Sequence, residues 1–374
     1  MEKVVVGMSG GVDSSVCAYL LQQQGYDVIG VTLRLWDDEE DVCCRKGHIG
    51  CCGSSAVEDA KNVCARLGIP FHVYSMQEIF REQVVSYFCR SYVGGQTPNP
   101  CIMCNKYLKW GAMLDKAREL GADYIATGHY ARIQKLPNGC FAVAKSEAGD
   151  KDQTYVLYSL TQEQLSQTLM PLGSYHKKEV RKLAGEAGLL IAEKRDSQDI
   201  CFVPDGDYNA FLERQLGKED LPPPGNYVLR DGTIVGRHKG ITHYTIGQRK
   251  GLGIAFNERM FVNRIRADRN EVVIGKDEEC FSLNLKATKV NHMGVTVFDE
   301  QTVYIGKIRY ADNGTPCRVR YLDEDQQNGI QIEVRFLEPV RAVTPGQAVV
   351  VYDGDVVAGG GIISENQIYS KRIE

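Results

Sequence analysis

The sequence predicts an α/β protein: a doubly wound parallel sheet followed by a small central domain and a C-terminal β-barrel. Three observations predict it. Apolar strands alternate with amphipathic helices over the first 206 residues, a glycine-rich turn joins the first strand to the first helix, and short β-branched runs punctuated by glycine fill the remainder. Val4, Val5 and Val6 form the first strand and residues 14–24 the first helix. DVIGVTL is the second strand. In VEDAKNVCARLG, Val57, Ala60, Val63, Cys64 and Leu67 share one helical face that Gly68 closes, and IPFHVYS is the next strand. Residues 77–92 and 105–120 read as helices, with Asn105 opening the second, and DYIATGHY supplies another buried strand. In such a sheet ligands bind at the carboxyl ends of the strands, where the glycine turn lies.

From PPPGNYV onward, YVLRDGTIVG, ERMFVNRIRA, EVVIG, VYIGKIRY, QIEVRFLE and QAVVVYDGDVVAGGGII read as antiparallel strands. The expected domains are residues 1–206, 207–285 and 286–374, the second boundary falling within 280–292.

Composition sets the remaining bounds. The chain has 374 residues, 43% of them apolar, enough for two or three cores, and no apolar stretch approaches bilayer length. The start, MEKVVVGMSGG, commits its valines to a strand and lacks the pattern of a signal peptide, so a cytoplasmic location is expected. Thirteen cysteines there point to core packing, metal or catalysis rather than a disulfide framework. The net charge of −4 excludes a uniformly basic coat but leaves local basic patches open.

The turn itself, GMSGGVDSS, brings backbone N–H groups at a helix N-terminus close to an anion. It lacks the Gly-Lys-Ser/Thr ending of a P-loop. Gly7, Met8, Ser9, Gly10, Gly11, Val12, Asp13 and Ser14 instead resemble the PP-loop of ATP pyrophosphatases. That resemblance implies an adenine nucleotide α-hydrolase-like domain that cuts ATP between the α and β phosphates and transfers AMP to an oxygen. It also implies that Asp13 positions Mg2+ while Ser9 and Ser14 donate to the departing pyrophosphate.

Two cysteines stand apart from ordinary core thiols. Cys104 follows TPNP and CIM just before the expected helix start, where the helix dipole, Lys106 and Lys109 favour a thiolate. Cys201 follows Lys194 and Arg195 and precedes the turn-like PDGD. One such cysteine taken singly is more often a buried residue than a catalytic one; two in basic, loop-flanked settings shift the balance toward chemistry.

GMSGGVDSS, TPNP with CIMCN, TGHYAR, KDQTYVLYSL, KRDSQDICF, YTIGQRKGLGI and TPGQAVVVY together resemble the tRNA-specific 2-thiouridylases, in the family's order and along nearly the whole chain. The resemblance implies ATP-dependent 2-thiolation of the wobble uridine of lysine, glutamate and glutamine tRNAs, through adenylation of the C2 oxygen. Cys201 would carry sulfur as a persulfide received from a donor protein such as a cysteine desulfurase or relay protein. Cys104 would then either free that sulfur as hydrosulfide or close a disulfide with Cys201. By the same likeness Leu33 and Gly128 contact ATP, and Asn99, Pro100 and Cys101 meet a flipped-out target base. His129, Lys151, Asp152, Gln153, Arg309, Tyr310 and Gln347 fall at contacts with the tRNA anticodon arm.

Many relatives carry aspartate where this chain has Cys101. A C-x-x-C results, and Cys101, Cys104 and Cys201 together stand as candidate iron-sulfur ligands, a reading disfavoured beside the persulfide. Cys43, Cys44, His48, Cys51 and Cys52 have loosely zinc-like spacing but include adjacent pairs, poor tetrahedral chelates, and are left without a metal. Two other functions compete. One is a PP-loop ligase adenylating a small metabolite, which has no need of two thiols; the other is a non-catalytic RNA- or metal-binding protein in which the loop merely senses ATP.

Overall fold

The structure is a computed structural model that describes residues 1–36, 54–149, 151–192, 194, 200–203, 205–254, 256, 258–322 and 329–367. The cysteine-rich segment with Cys43, Cys44, His48, Cys51 and Cys52 lies outside them, as does Arg195. The chain groups into two compact units. One holds residues 1–84, 100–206 and 355–357; the other holds 85–99, 207–354 and 358–374.

In the first unit the strands are β1 (Lys3–Gly7), β2 (Asp27–Arg34), β3 (Phe71–Ser75), β4 (Tyr124–Ala126), β5 (Ala131–Lys135), β6 (Phe141–Lys145) and β7 (Thr168–Leu169). Five of them form a sheet ordered β3-β2-β1-β4-β7, all parallel. Val4, Val5 and Val6 are completely buried at its centre, which is why that strand is apolar on both faces. The helices α1 (Val12–Gln23) and α2 (Ser54–Leu67) cover the sheet, with Val16, Leu21, Ala60, Val63 and Cys64 in one core. Gly68, at φ +67°, stops α2 as its sequence position predicts. Helix α3 (Lys177–Glu186) adds Val180 and Ala184 to the same core.

The second unit contains helix α4 (Tyr208–Leu216) and ten further strands. Of these, β8 (Asn226–Val228), β9 (Ile234–Arg237), β10 (Phe261–Arg266) and β11 (Glu271–Gly275) make a small sheet ordered β10-β11-β8-β9. Its pairing departs from the antiparallel texture of the sequence at one place: β8 and β11 run parallel, with Tyr227 opposite Val272. The connection between them is long enough to let the chain return in the same direction, which a tight hairpin cannot do. The last strands are β12 (Phe281–His292), β13 (Tyr304–Lys307), β14 (Thr315–Tyr321), β15 (Ile332–Arg341), β16 (Ala348–Asp353) and β17 (Val356–Gln367). They run β12-β15-β14-β13-β16-β17 and close through β12–β17 into a six-stranded antiparallel barrel. Alternate residues such as Ile332, Val334 and Phe336 fill its interior.

Candidate active site

The glycine turn sits at the carboxyl end of β1. Met8 is fixed there by its own N–H to Val31 O at 2.7 Å and by Thr32 Oγ1, which donates to Met8 O at 2.7 Å. Gly10 takes φ +65°, and a Cβ there would collide with the Ala56 carbonyl oxygen, so both conformation and space demand glycine. Ser14 Oγ donates to Gly11 O at 3.1 Å and accepts from Ser9 N at 3.2 Å, drawing the loop around the start of α1.

Beyond the turn lies a cavity of about 390 Å3. Gly7, Met8, Ser9, Gly10, Gly11, Val12, Asp13 and Ser14 all line it, as do Leu33 and Gly128. Its wall also carries Pro100, Cys101, Cys104, His129, Lys151, Gln153 and Cys201. Cys201 therefore shares one chamber with Cys104, although 97 residues of sequence separate 104 from 201. Both thiols are half-buried and Cys101 is exposed. By contrast Cys17, Cys64, Cys89, Cys280 and Cys317 are core residues, and burial pushes their thiols up, those of Cys64 and Cys317 to about 12.

The helix bearing Cys104 begins earlier than expected, at Pro100 rather than Asn105. Proline is favoured at the first helical position and holds the residue before it out of helix, so TPNP ends the turn and starts the helix at once. Cys101 consequently occupies the first turn, where the dipole acts most strongly, and Cys104 lies one turn further in. Cys104–Ala112 is wound as a π-helix before α-helix resumes at Met113. Such widened turns concentrate at functional sites. Along this one, Asn105 Nδ2 donates to Val156 O at 2.9 Å and Trp110 Nε1 to Thr168 Oγ1 at 2.8 Å, anchoring it.

His129 is buried, with Nδ1 2.7 Å from Thr127 Oγ1 and Nε2 3.5 Å from Lys109 Nζ. Burial, and secondarily the Lys109 ammonium, hold its pKa well below the usual histidine value, so it is neutral at pH 7. Gln153 Oε1 accepts from Tyr130 N at 2.9 Å, and Asp152 Oδ1 accepts from Thr154 N and Thr154 Oγ1. Asp152 thus holds Thr154, the first residue of the short helical turn Thr154–Leu157, and is not among the cavity-lining residues. Asn99, Arg309, Tyr310 and Gln347 belong to the second unit. There Arg309 donates to Arg341 O at 3.1 Å, Tyr310 is exposed, and Gln347 Nε2 donates to Thr97 O at 2.8 Å.

Several site residues escaped the sequence reading. Tyr130 OH donates to Asp13 Oδ1 at 2.7 Å, and Lys177 Nζ reaches the same oxygen at 2.6 Å. Lys194 Nζ donates to Gly10 O at 3.0 Å and pairs with Asp59 at 2.6 Å. Tyr130 stands next to the TGH segment and had a local signal; Lys177, 164 residues from Asp13, had none.

Three family profiles match the chain: the tRNA methyl transferase HUP domain over residues 2–205, the tRNA methyl transferase PRC-barrel domain over 209–276, and the aminomethyltransferase beta-barrel domain over 282–363. The tRNA-specific 2-thiouridylase MnmA of Lachnoclostridium phytofermentans is 54% identical over 363 residues, 97% of this chain and 99% of that protein. The chain belongs to the tRNA-specific 2-thiouridylase family. The enzyme of that name from Clostridium acetobutylicum is 51% identical over 97% of this chain and 99% of its own length. The one from Clostridioides difficile is 49% identical over 98% and 99%. The profile names speak of methyl transfer and the 2-thiouridylase name of sulfur; two thiols beside a PP-loop go with sulfur.

Proposed function

We propose that the protein binds ATP and tRNA and catalyses 2-thiolation of the wobble uridine, in tRNAs of the lysine, glutamate and glutamine type. The observation that carries this reading is the single chamber lined by the PP-loop, Cys104 and Cys201. The C2 oxygen of uracil is a poor leaving group. Its attack on the α-phosphate, with pyrophosphate departing toward Ser9, Gly10, Gly11 and Ser14, converts it into part of an AMP leaving group. The terminal sulfur of a Cys201 persulfide then reaches C2, directly or after Cys104 has freed it as hydrosulfide, and AMP departs. In the direct route Cys104 then attacks Cys201 Sγ and breaks the persulfide S–S bond, so that the outer sulfur stays on C2; by either route Cys104 and Cys201 end joined as a disulfide, which an external thiol must reduce before the next turnover. The sulfur comes from a persulfide-bearing donor protein.

Leu33 and Gly128 border the nucleotide, and Asn99, Pro100 and Cys101 the flipped uridine. His129, Lys151, Asp152, Gln153, Arg309, Tyr310 and Gln347 hold the anticodon arm. We assign the chain the domains 1–206, 207–285 and 286–374 on the same reading. Magnesium fits as an ion carried by the phosphates with Asp13 as protein ligand, since Mg2+ is commonly held by one or two carboxylates and substrate phosphates. Cys101, Cys104 and Cys201 all line the chamber, and among the described residues no three His, Cys, Asp or Glu side chains gather at metal-binding spacing; an iron-sulfur cluster on these three thiols stays the disfavoured alternative to the persulfide. Among the described residues no helix is long and apolar enough to cross a membrane; we place the protein's work on tRNA in the cytoplasm.

The test is product analysis. With tRNA, ATP and a persulfide donor, the protein should release AMP and pyrophosphate and leave 2-thiouridine in digested tRNA. ADP as the product would overturn the reading, and tRNA-independent pyrophosphate release with a small acceptor would favour a ligase.

A further inference from the structure

The PP-loop has no lysine of its own, yet its carboxylate already faces one. Lys177 Nζ lies 2.6 Å from Asp13 Oδ1, and the side chains are only 12% and 28% exposed. The same oxygen accepts from Tyr130 OH at 2.7 Å, and Tyr130 is 1% exposed. Lys177 Nζ also stands 5.9 Å from the centre of the Tyr130 ring. Lys177 is the first residue of α3, whose capping box fixes that end: Glu179 accepts from His176 N at 2.7 Å. Lys177 is not among the cavity-lining residues, whereas Asp13 and Tyr130 are. It stands behind the carboxylate and acts on the cavity through it.

A bare carboxylate beside a triphosphate repels it, more strongly in a half-buried chamber than in water. We propose that Lys177 is a positioning residue that, with Tyr130, neutralises and orients Asp13 so that the loop accepts the polyphosphate of ATP. Oδ1 is occupied by the two donors, which leaves Oδ2 as the oxygen that would serve a metal carried by the nucleotide. The division of labour differs from a P-loop, where the lysine touches the phosphates itself. Here the lysine removes a repulsion instead of adding an attraction. This rests on the reading that the chamber binds ATP.

The distinction is testable because the two roles predict opposite outcomes when Asp13 is also changed. Equilibrium binding of ATP to the full-length protein, without tRNA and with magnesium, is measured for the wild type, K177M, D13N, and the D13N/K177M double variant. Circular dichroism checks each fold. The expected result is a loss of about tenfold or more from wild type to K177M but little or none from D13N to D13N/K177M, because Lys177 acts only through the Asp13 carboxylate; D13N itself is weakened by loss of the magnesium ligand. K177R should hold near wild-type affinity, and Tyr130→Phe should lose less than K177M. Wild-type affinity in K177M, or a loss from D13N to D13N/K177M as large as that from wild type to K177M, would overturn the proposal. The second result would make Lys177 a direct phosphate ligand. If K177M fails to fold, D13N/K177R decides: it leaves an uncompensated cation, which on this account binds ATP at least as tightly as D13N/K177M. Weaker binding by D13N/K177R would also overturn it. A wild type that binds no ATP would instead sink the functional reading on which the proposal rests.

Discussion

Gly128 is set against the PP-loop by the side chain it does not have. A Cβ there would come 2.7 Å from both the Asp13 carbonyl carbon and the Ser14 nitrogen, which are backbone atoms that cannot swing aside. Gly128→Ala should therefore displace the loop and weaken ATP binding about tenfold or more, with thermal stability lowered by roughly 1–3 kcal/mol as for other overpacked sites; unchanged ATP affinity would show that the loop yields. The thiols divide differently. Cys201→Ser should abolish thiolation while tRNA-dependent pyrophosphate release continues, and Cys104→Ser should also fail to thiolate. Cys101→Ser should keep most activity in iron-free protein, since the persulfide route does not use it. Iron-dependent thiolation lost in Cys101→Ser would reverse that assignment. At this scale the PP-loop and both candidate thiols were legible, because each announces itself in a few adjacent residues. Lys177, and the contacts of Lys194 with Gly10 and Asp59, were not, because an ordinary lysine gains its partner only when distant elements meet.

Elements were legible where one period ran long enough. The parallel sheet followed from apolar runs, whereas the β5–β6 hairpin went unread although Asn138-Gly139 between ARIQK and FAVAK is a strong turn signal. The π-helical winding had no signal, since it depends on anchors such as Trp110 to Thr168 that only tertiary structure supplies. The small sheet carries a pH response of its own. His238 Nδ1 accepts from Gly240 N at 3.0 Å and Gly225 N at 3.4 Å, while Nε2 faces Asn270 O at 3.1 Å. Protonating Nδ1 would set two donors against a third. Burial, the largest cause, lowers the pKa of His238, and it likewise lowers those of His243 and His292 in the same unit. A histidine whose folded pKa lies below its unfolded value of about 6.5 contributes its full stability above that pH and loses it as pH falls through the window beneath. Melting temperature should therefore hold above about pH 6.5 and drop as pH falls from there to about 5.5, a range in which ordinary carboxylates barely titrate. A flat or rising profile would contradict the assigned neutral histidines.

At the scale of the whole molecule, the chain leaves the first unit after residue 84 and returns at residue 100, a detour that no composition shift marked. Residues 85–99 are held inside the second unit. Phe88, fully buried, packs edge-on against Phe211 of α4 with ring centres 5.9 Å apart, and Tyr92 stacks on Tyr208 at 6.1 Å. Thr97 is held from both sides, donating to Pro345 O at 2.9 Å and accepting from Gln347 at 2.8 Å. Gly346, at φ +91°, lets the two segments close, since a Cβ there would lie 3.0 Å from Thr97 N. Gln347 accordingly has a structural task in the second unit whatever it does with RNA. A fragment ending at residue 206 contains the PP-loop and both thiols but lacks Tyr208, Phe211 and the 345–347 segment. It would expose Phe88 and Tyr92, at a cost of roughly 1.5–3 kcal/mol for each large side chain, a substantial share of the 5–15 kcal/mol that typically holds a domain folded. We expect fragment 1–206 to bind a hydrophobic dye, to associate on size-exclusion chromatography and to melt below the intact chain. Replacing Phe88 and Tyr92 with serine in that fragment should reduce association without restoring stability. A monomeric, dye-silent fragment with the ATP affinity of the full chain would show instead that the detour is carried as a tether and that the nucleotide unit folds without it.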